Sequence, residues 1–313
     1  MPEIMYTEKN VAVLVCTYNG AKFINKQLDS IINQSHLNWT LYISDDGSTD
    51  GTLDILDMYQ EKIGKERMVI SKGPGKGFAW NFLSLLKTCP SYFDYYAFSD
   101  QDDVWLPEKL SEGIKSLYAL TNETAAIHCG RTILIDEKDE CIGYSPIFKK
   151  KPSFQNALIQ SIAGGNTMML NNKAKEIIDM TPKYHDIISH DWWIYILITG
   201  CGGDVIYDEN PLLKYRQHTN NIIGSNLGWK ARLRRINGLF DGHFQMWIQK
   251  NIDVLTAIDV QLSEKNQWIL SDFIEARTSN IVNRVFIFAK IKLYRQTFFG
   301  TLAFYLAILL KKI

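Results

Sequence analysis

The sequence predicts an α/β fold: a mostly parallel sheet flanked by helices, followed by a helical and basic C-terminal region. Three observations predict it. Apolar runs rich in β-branched residues alternate with amphipathic stretches over the first hundred residues. The links between them are short and rich in Gly, Asp and Ser. Past residue 125 the alternation weakens, and from Trp229 onward the pattern is mostly helical and basic.

In chain order, residues 11–16 (VAVLVC) form a continuous apolar run, the mark of a strand buried on both faces. Residues 21–33 set Phe23, Ile24, Leu28, Ile31 and Ile32 on one helical stripe. LYIS (41–44), MVIS (68–71) and YYAFS (95–99) read as further strands, with helices at 52–62 and 78–87 between them. Pro107 opens another helix that turns Leu110, Ile114 and Leu117 to the sheet. CGRTILID and ECIGYSPIF flank a charged EKD turn and predict an antiparallel excursion. AGGNTMML (163–170) reads as a strand led by glycines, with a β-bulge as the other explanation of Gly164 and Gly165. The expected division is a body over 1–225 and a helical region over 226–313.

Composition bounds the function. At 313 residues with 46% hydrophobic and 22% charged, the chain holds a sizeable core and is not disordered. The net charge is zero, but it is unevenly spread. Residues 229–313 carry 13 of the 34 basic and 6 of the 34 acidic residues, a net of +7, which leaves the body at −7. Such a basic end suits an anionic surface, and nothing in the pattern asks for a nucleic acid. Five scattered cysteines without a CxxC pair argue against a disulfide framework or zinc knuckle and for a reducing compartment. The N-terminus lacks an apolar signal core. No apolar run reaches the roughly 18–20 residues that span a bilayer; the longest, 298–310, contains Gly300. A cytoplasmic protein is expected.

In open α/β sheets ligands bind beyond the carboxyl ends of the strands. Three polar clusters fall there: Thr17-Tyr18-Asn19-Gly20, the run from Asp45 to Gly51, and Asp100-Gln101-Asp102-Asp103. Carboxylates converging from separate strands repel unless a cation or a donor-rich ligand compensates them. A nucleotide supplies donors and a divalent metal supplies charge. The Asp46-x-Ser48-x-Asp50-Gly51 run matches the opening of a calcium loop, but a strand precedes it and Asp57 stands where Glu belongs. Asp50 is also placed to cap the helix starting near Thr52. Gly73-Pro-Gly75-Lys-Gly77 lacks the spacing of a phosphate loop and reads as a turn.

VLVCTYNG, SDDGSTDGT and SDQDDVW, in this order, resemble family-two glycosyltransferases of the A-type, Rossmann-like fold. SDQDDVWLPEKL and YRQHTNNIIG resemble the bacterial rhamnosyltransferases that build polysaccharide on a lipid carrier. The resemblance covers residues 11 to about 224. It implies that Thr17, Tyr18, Asn19 and Asp46 line the base and ribose pocket with Asp45 near, and that Gln101 joins them. Asp100 faces the nucleotide, and Asp102 faces a Mg²⁺ or Mn²⁺ that bridges the diphosphate. His218 completes the metal shell or, with Arg216, holds the diphosphate; Asp103 braces the turn or meets the acceptor. In Ser189-His190-Asp191-Trp192-Trp193, His190 stands where the family usually has Glu, so Asp191 inherits the role of catalytic base. A helix N-cap is its other reading, with both tryptophans in the core. His190, Gly165, Asn166, Trp192 and Trp193 are expected beside the acceptor, the tryptophans stacking on a sugar face.

The implied activity is inverting, metal-dependent transfer of a sugar, L-rhamnose from dTDP-rhamnose, onto a lipid-linked saccharide. A UDP-hexose donor is the near alternative. A nucleotidyltransferase would carry a basic glycine loop at the first strand, which CTYNGAKF lacks. A binding-only module would need no Asp191. The basic C-terminal helices are expected to hold the protein at the inner face of the plasma membrane, or else to pack on the body or pair with a second copy.

Overall fold

A computed structural model describes residues 8–120, 123–182, 186–218, 242–258 and 260–313. The first apolar run is β1 (Val11–Thr17), buried along its whole length. It is followed by α1 (Ile24–Ile32), β2 (Trp39–Asp45), α2 (Thr52–Ile63), β3 (Met68–Lys72), α3 (Phe78–Thr88) and β4 (Tyr95–Ser99), the predicted alternation. The chain continues through β5 (Val104–Trp105), α4 (Lys109–Tyr118), β6 (Ala126–Gly130), β7 (Ile133–Ile135) and β8 (Cys141–Tyr144). Then come α5 (Phe154–Ala157), β9 (Met169–Asn171), α6 (Asn172–Met180), α7 (His190–Gly200), β10 (Asp204–Asp208) and β11 (Leu213–Arg216).

Among the described residues the main sheet has seven strands in the order β10-β6-β9-β4-β1-β2-β3. β1 pairs in parallel with β2 on one side and β4 on the other, and β3 extends β2 in parallel. β10 is parallel to β6, while β9 runs antiparallel to both β4 and β6. Connections run outward in opposite directions from the β1–β4 seam, and that reversal leaves a crevice at the carboxyl ends of these two strands. A smaller sheet, β5-β11-β7-β8, stands beside it. Its β7–β8 hairpin is the antiparallel excursion expected around the EKD turn. β11 pairs with β5, which directly follows β4, so residues 213–216 lie against the acidic turn. One expectation needs correction: Gly165–Thr167 form a 3-10 turn, and the strand begins only at Met169.

At the C-terminal end stand α8 (His243–Ala257), α9 (Glu264–Thr278), α10 (Ile281–Ile291) and α11 (Phe298–Leu309). They form the expected helical C-terminal region, and they pack on the body. Ile252, Phe273, Phe288 and Phe304 share one apolar core with Phe82, Phe98 and Trp193 of the body. Asn266 donates to the carbonyls of Thr199 and Gly200 at 2.9 and 3.0 Å, capping the end of α7. The expected 225/226 boundary and Trp229 lie outside the described residues.

Candidate active site

The crevice is built by three loops. After β1, Thr17 is buried and its hydroxyl donates to Asp45 at 2.7 Å. Asn19 takes a left-handed conformation (φ 48°). Its amide donates to the Ser48 hydroxyl, and its side-chain oxygen accepts from the Thr49 amide at 2.9 Å. Tyr18 is 60% exposed and faces open solvent at the crevice mouth.

Asp45, at the end of β2, accepts from the amides of Gly47 and Ser48 and from the hydroxyls of Ser48 and Thr17. Burial alone would raise its pKa, but these hydrogen bonds outweigh it and hold the carboxyl below its usual range. Asp46 accepts from the amides of Gly75 and Gly77 at 2.6 and 2.9 Å. The glycine turn before α3 is thus a cradle for a carboxylate. A Cβ at Gly73 would lie 2.6 Å from that same carboxylate, so the residue must be small. Asp50 accepts from both the amide and the hydroxyl of Thr52, bracing the start of α2 as expected although Gly51 is the N-cap residue.

The turn after β4 has the opposite character. Burial first, then the neighbouring charges of Asp102 and Asp191, push Asp100 up to about 8. Asp103 is fully buried, and burial with Asp102 and Asp100 beside it drives it well above the ordinary range. Asp102 lies 2.6 Å from Nε2 of His218, whose ring stacks on Phe23 at 5.3 Å. Oxygen ligands with one imidazole suit a hard divalent cation such as Mg²⁺ or Mn²⁺. Among the described residues no three His, Cys, Asp or Glu side chains close a cation site by themselves, so further ligands would have to come with a substrate.

On the far side stands the head of α7. Asp191 lies in its first turn, is 8% exposed, and accepts from the Trp192 amide at 2.7 Å. Its charge reaches Asp100 although 91 residues separate the two in sequence. His190 is buried against Phe82 (stacked, 4.3 Å), Phe98 and Phe78. Burial lowers its pKa to about 4, so the imidazole is neutral. A Cβ on Gly165 would fall 2.1 Å from its Nε2, which is why the 3-10 turn carries glycine there.

Several expected contacts are spent inside the protein. Arg216 is fully buried and donates from Nε to the Asp102 carbonyl (2.8 Å) and from Nη1 to the Asp136 carbonyl (3.1 Å). It also pairs with Asp139 and lies over the Phe23 ring. These contacts pin the acidic turn from beneath. Gln101 uses both ends of its amide on the Tyr18 backbone, at 2.9 and 3.0 Å. Asp45 is consumed by its own loop. Asn166 is buried and donates to Asp103, so Asp103 braces the turn, the first of its two readings. Trp192 and Trp193 are core residues at 5% and 0% exposure, and the indole N–H of Trp192 donates to the Ala157 carbonyl. Neither offers a face to a sugar, because α7 is buried on all sides. Thr219, Asn220 and Asn221 lie outside the described residues.

Sequence reading missed Lys109. It is buried, burial brings its pKa down to about 7, and its Nζ donates to the Thr167 carbonyl at 3.3 Å. It lies over the Trp105 ring and supplies Asp103 with a nearby cation. Only its place before the Leu110, Ile114, Leu117 stripe hinted at burial.

Comparisons with known proteins give the family and the fold. The family model "Glycosyl transferase family 2" matches residues 12–178. The dTDP-rhamnosyl transferase RfbG of Shigella flexneri is 30% identical over 236 residues, 71% of this chain and 78% of that protein. The putative teichuronic acid biosynthesis glycosyltransferase TuaG of Bacillus subtilis is 30% identical over 224 residues, 71% of this chain and 83% of that one. Among solved structures, S. aureus TarS 1-349 superposes with a TM-score of 0.56 at 16% identity, over 85% of this chain and 70% of that one. The Pyrobaculum calidifontis mannosyltransferase PcManGT, in complex with GDP-Man and Mn2+, gives 0.52 at 17% identity, over 96% and 85%. The fold is the A-type glycosyltransferase fold, and the chain belongs to glycosyl transferase family 2.

Proposed function

We propose that this glycosyltransferase moves L-rhamnose from dTDP-rhamnose, with inversion, onto a lipid-linked saccharide at the inner face of the plasma membrane. The observation that carries the reading is that Asp191, at the head of α7, lies near enough to Asp100 for its charge to raise that carboxyl. One wall gathers carboxylates that could hold a cation where a diphosphate would leave. The other offers a carboxylate where a hydroxyl would arrive.

The nucleoside lies over the β1 and β2 loops, beside Tyr18, Asn19 and Asp46. Asp102 and His218, with Asp100 near, would hold a Mg²⁺ or Mn²⁺. Such an ion, when bound, neutralises the departing diphosphate. Asp191 accepts the proton of the acceptor hydroxyl as its oxygen attacks the anomeric carbon from the face opposite the leaving group. That single displacement inverts the centre. Arg216 and Asp103 hold the acidic turn from beneath, and the buried 165–167 turn closes the acceptor side.

The rhamnosyl donor is supported by the 30% identity to a dTDP-rhamnosyl transferase. A UDP-hexose is the second reading, favoured by the fold neighbour TarS, solved in complex with UDP-GlcNAc. A panel of nucleotide sugars tests both, read as donor hydrolysis and thermal stabilisation with Mg²⁺ or Mn²⁺. Response to dTDP-rhamnose and not to UDP-sugars is expected; the reverse pattern replaces the donor. EDTA should abolish activity and added Mg²⁺ or Mn²⁺ restore it; full activity in EDTA removes the ion from the reading.

A further inference from the structure

The C-terminal helices bury one face and leave another apolar face uncovered. On α11, Phe304, Ala307 and Ile308 face the core. Phe298 and Phe299 are 74% and 79% exposed, and Leu302, Leu306 and Leu309 continue that exposed side at helical spacing. α10 repeats the pattern, with Ile287 and Phe288 inside and Val282 and Phe286 outside, Phe286 at 72%. A helix apolar all round belongs in a core or against lipid.

Charge says which. From residue 276 to 313 the chain has seven basic residues and no acidic one. Arg284 is buried, donating to the carbonyls of Ala276, Arg277 and Ser279, and Lys290 pairs with Asp272. Lys292, before α11, and Lys311 and Lys312, after it, are exposed. Lys292 and Lys311 both adopt left-handed backbone conformations, φ 53° and 55°, where glycine costs least. The sequence keeps lysine at both despite that cost. A second copy of this chain would bring the same positive ends together and gain nothing from them.

We propose that α11, with its lysine ends, docks the enzyme on an anionic lipid bilayer and lies in the plane of the interface. Its twelve residues span roughly 18 Å at a 1.5 Å rise, short of the ~30 Å hydrocarbon layer. No described helix is long and apolar enough to cross a membrane. Exposed aromatics enter the acyl boundary, while the lysines meet anionic headgroups. The inference deepens the reading of a lipid-borne acceptor and rests on it only for its purpose.

Because α10 and α11 complete the core, the test uses point variants of the full chain. Flotation with vesicles of phosphatidylcholine, with and without phosphatidylglycerol, is measured at low and physiological salt. The parent should float with the anionic vesicles and less well as salt rises. The pair Phe298→Ser and Phe299→Ser should lower partitioning on the order of tenfold to a hundredfold, with the unfolding temperature and donor binding unchanged. Lys311→Glu with Lys312→Glu should remove the preference for anionic vesicles. A parent that stays in the soluble fraction at low salt overturns the proposal. So does a parent that forms a dimer in solution which the Phe pair dissolves, since the face then belongs to a second copy. Vesicles free of acceptor and donor keep this result separate from the reaction: flotation by a protein that fails the separate nucleotide-sugar panel would sink the functional reading alone.

Discussion

The loop after β2 and the turn after β4 look alike in sequence, each a run of aspartates beside Gly or Gln, and the fold uses them in opposite ways. Asp45 and Asp50 are surrounded by N–H and O–H donors that hold both below the usual carboxylate range despite the opposing effect of burial. Asp100 is raised by burial and by the charges of Asp102 and Asp191, and Asp103 by burial, Asp102 and Asp100, which outweigh its hydrogen bonds from Asn166 and the Arg216 amide. One cluster is satisfied and acts as scaffold. The other holds carboxyls for which the charged form is disfavoured, and a bound cation would favour it. A count of carboxylates cannot tell these apart; a count of donors can.

The largest test of that contrast is at the point where the strained turn meets its partner. Asp191→Asn should cut sugar transfer by roughly 10²–10⁴ with donor affinity kept within a few-fold, the usual worth of a positioned base. Unfolding temperature should hold or rise, since a like charge near Asp100 is removed. Near-normal turnover would take the base role from Asp191.

Next comes the scaffold. Asp45→Asn leaves donors from Thr17, Ser48 and Gly47 without a full carboxylate, and should cost about 2–4 kcal/mol. The two clusters should also differ in sign with pH. Asp45 has a depressed folded pKa, so its stabilisation is present at neutral pH and fades as pH falls through the acid range. Asp100 has a raised one, so in EDTA the parent should lose stability relative to Asp100→Asn as pH climbs from about 4 toward 8. Denaturant titrations of both variants at pH 4, 6 and 8 check this; the same sign for both would erase the contrast.

How much of this was legible beforehand follows from the range of each interaction. The alternation of strands and helices rests on local periodicity, and it emerged from β1 to β4 as written. Asp191 is expected as the base because a motif carries it. Arg216, Gln101, Asn166 and the tryptophans are expected near ligands because the resemblance places them there. Their partners lie far off in sequence: Asp136 for Arg216, Tyr18 for Gln101, Asp103 for Asn166, Ala157 for Trp192. No spacing rule reports such pairings. The glycine cradle of Asp46 was visible as a turn, but not as a binding partner, for the same reason.

His190 extends the contrast to a group kept neutral by apolar walls. Its folded pKa is about 4 against an ordinary 6.5. As pH falls from 6.5 to 4 the unfolded chain takes a proton that the folded one refuses, so the imidazole costs stability in that window. Relative to His190→Gln, the parent should lose up to roughly 3 kcal/mol there. A pH-independent difference between the two would mean that the ring is not shielded.

The smallest expected effect lies at the surface, where the same kinds of charge meet water. Lys22 and Lys26 of the first helical region pair with Glu137 and Asp139 of the β7–β8 turn. The Lys22 and Lys26 side chains are 65% and 55% exposed, so solvent and salt screen both pairs. Lys26→Ala should change stability by no more than about 0.5 kcal/mol, because Asp139 still has the buried Arg216 beside it. Arg216→Met, by contrast, removes the donors to the Asp102 and Asp136 carbonyls and leaves Asp139 without its buried partner. That variant should unfold at clearly lower temperature and lose transfer together with stability. If Lys26→Ala proves as costly as Arg216→Met, the turn is held from its exposed side, and the buried pin is not what sets the acidic turn in place.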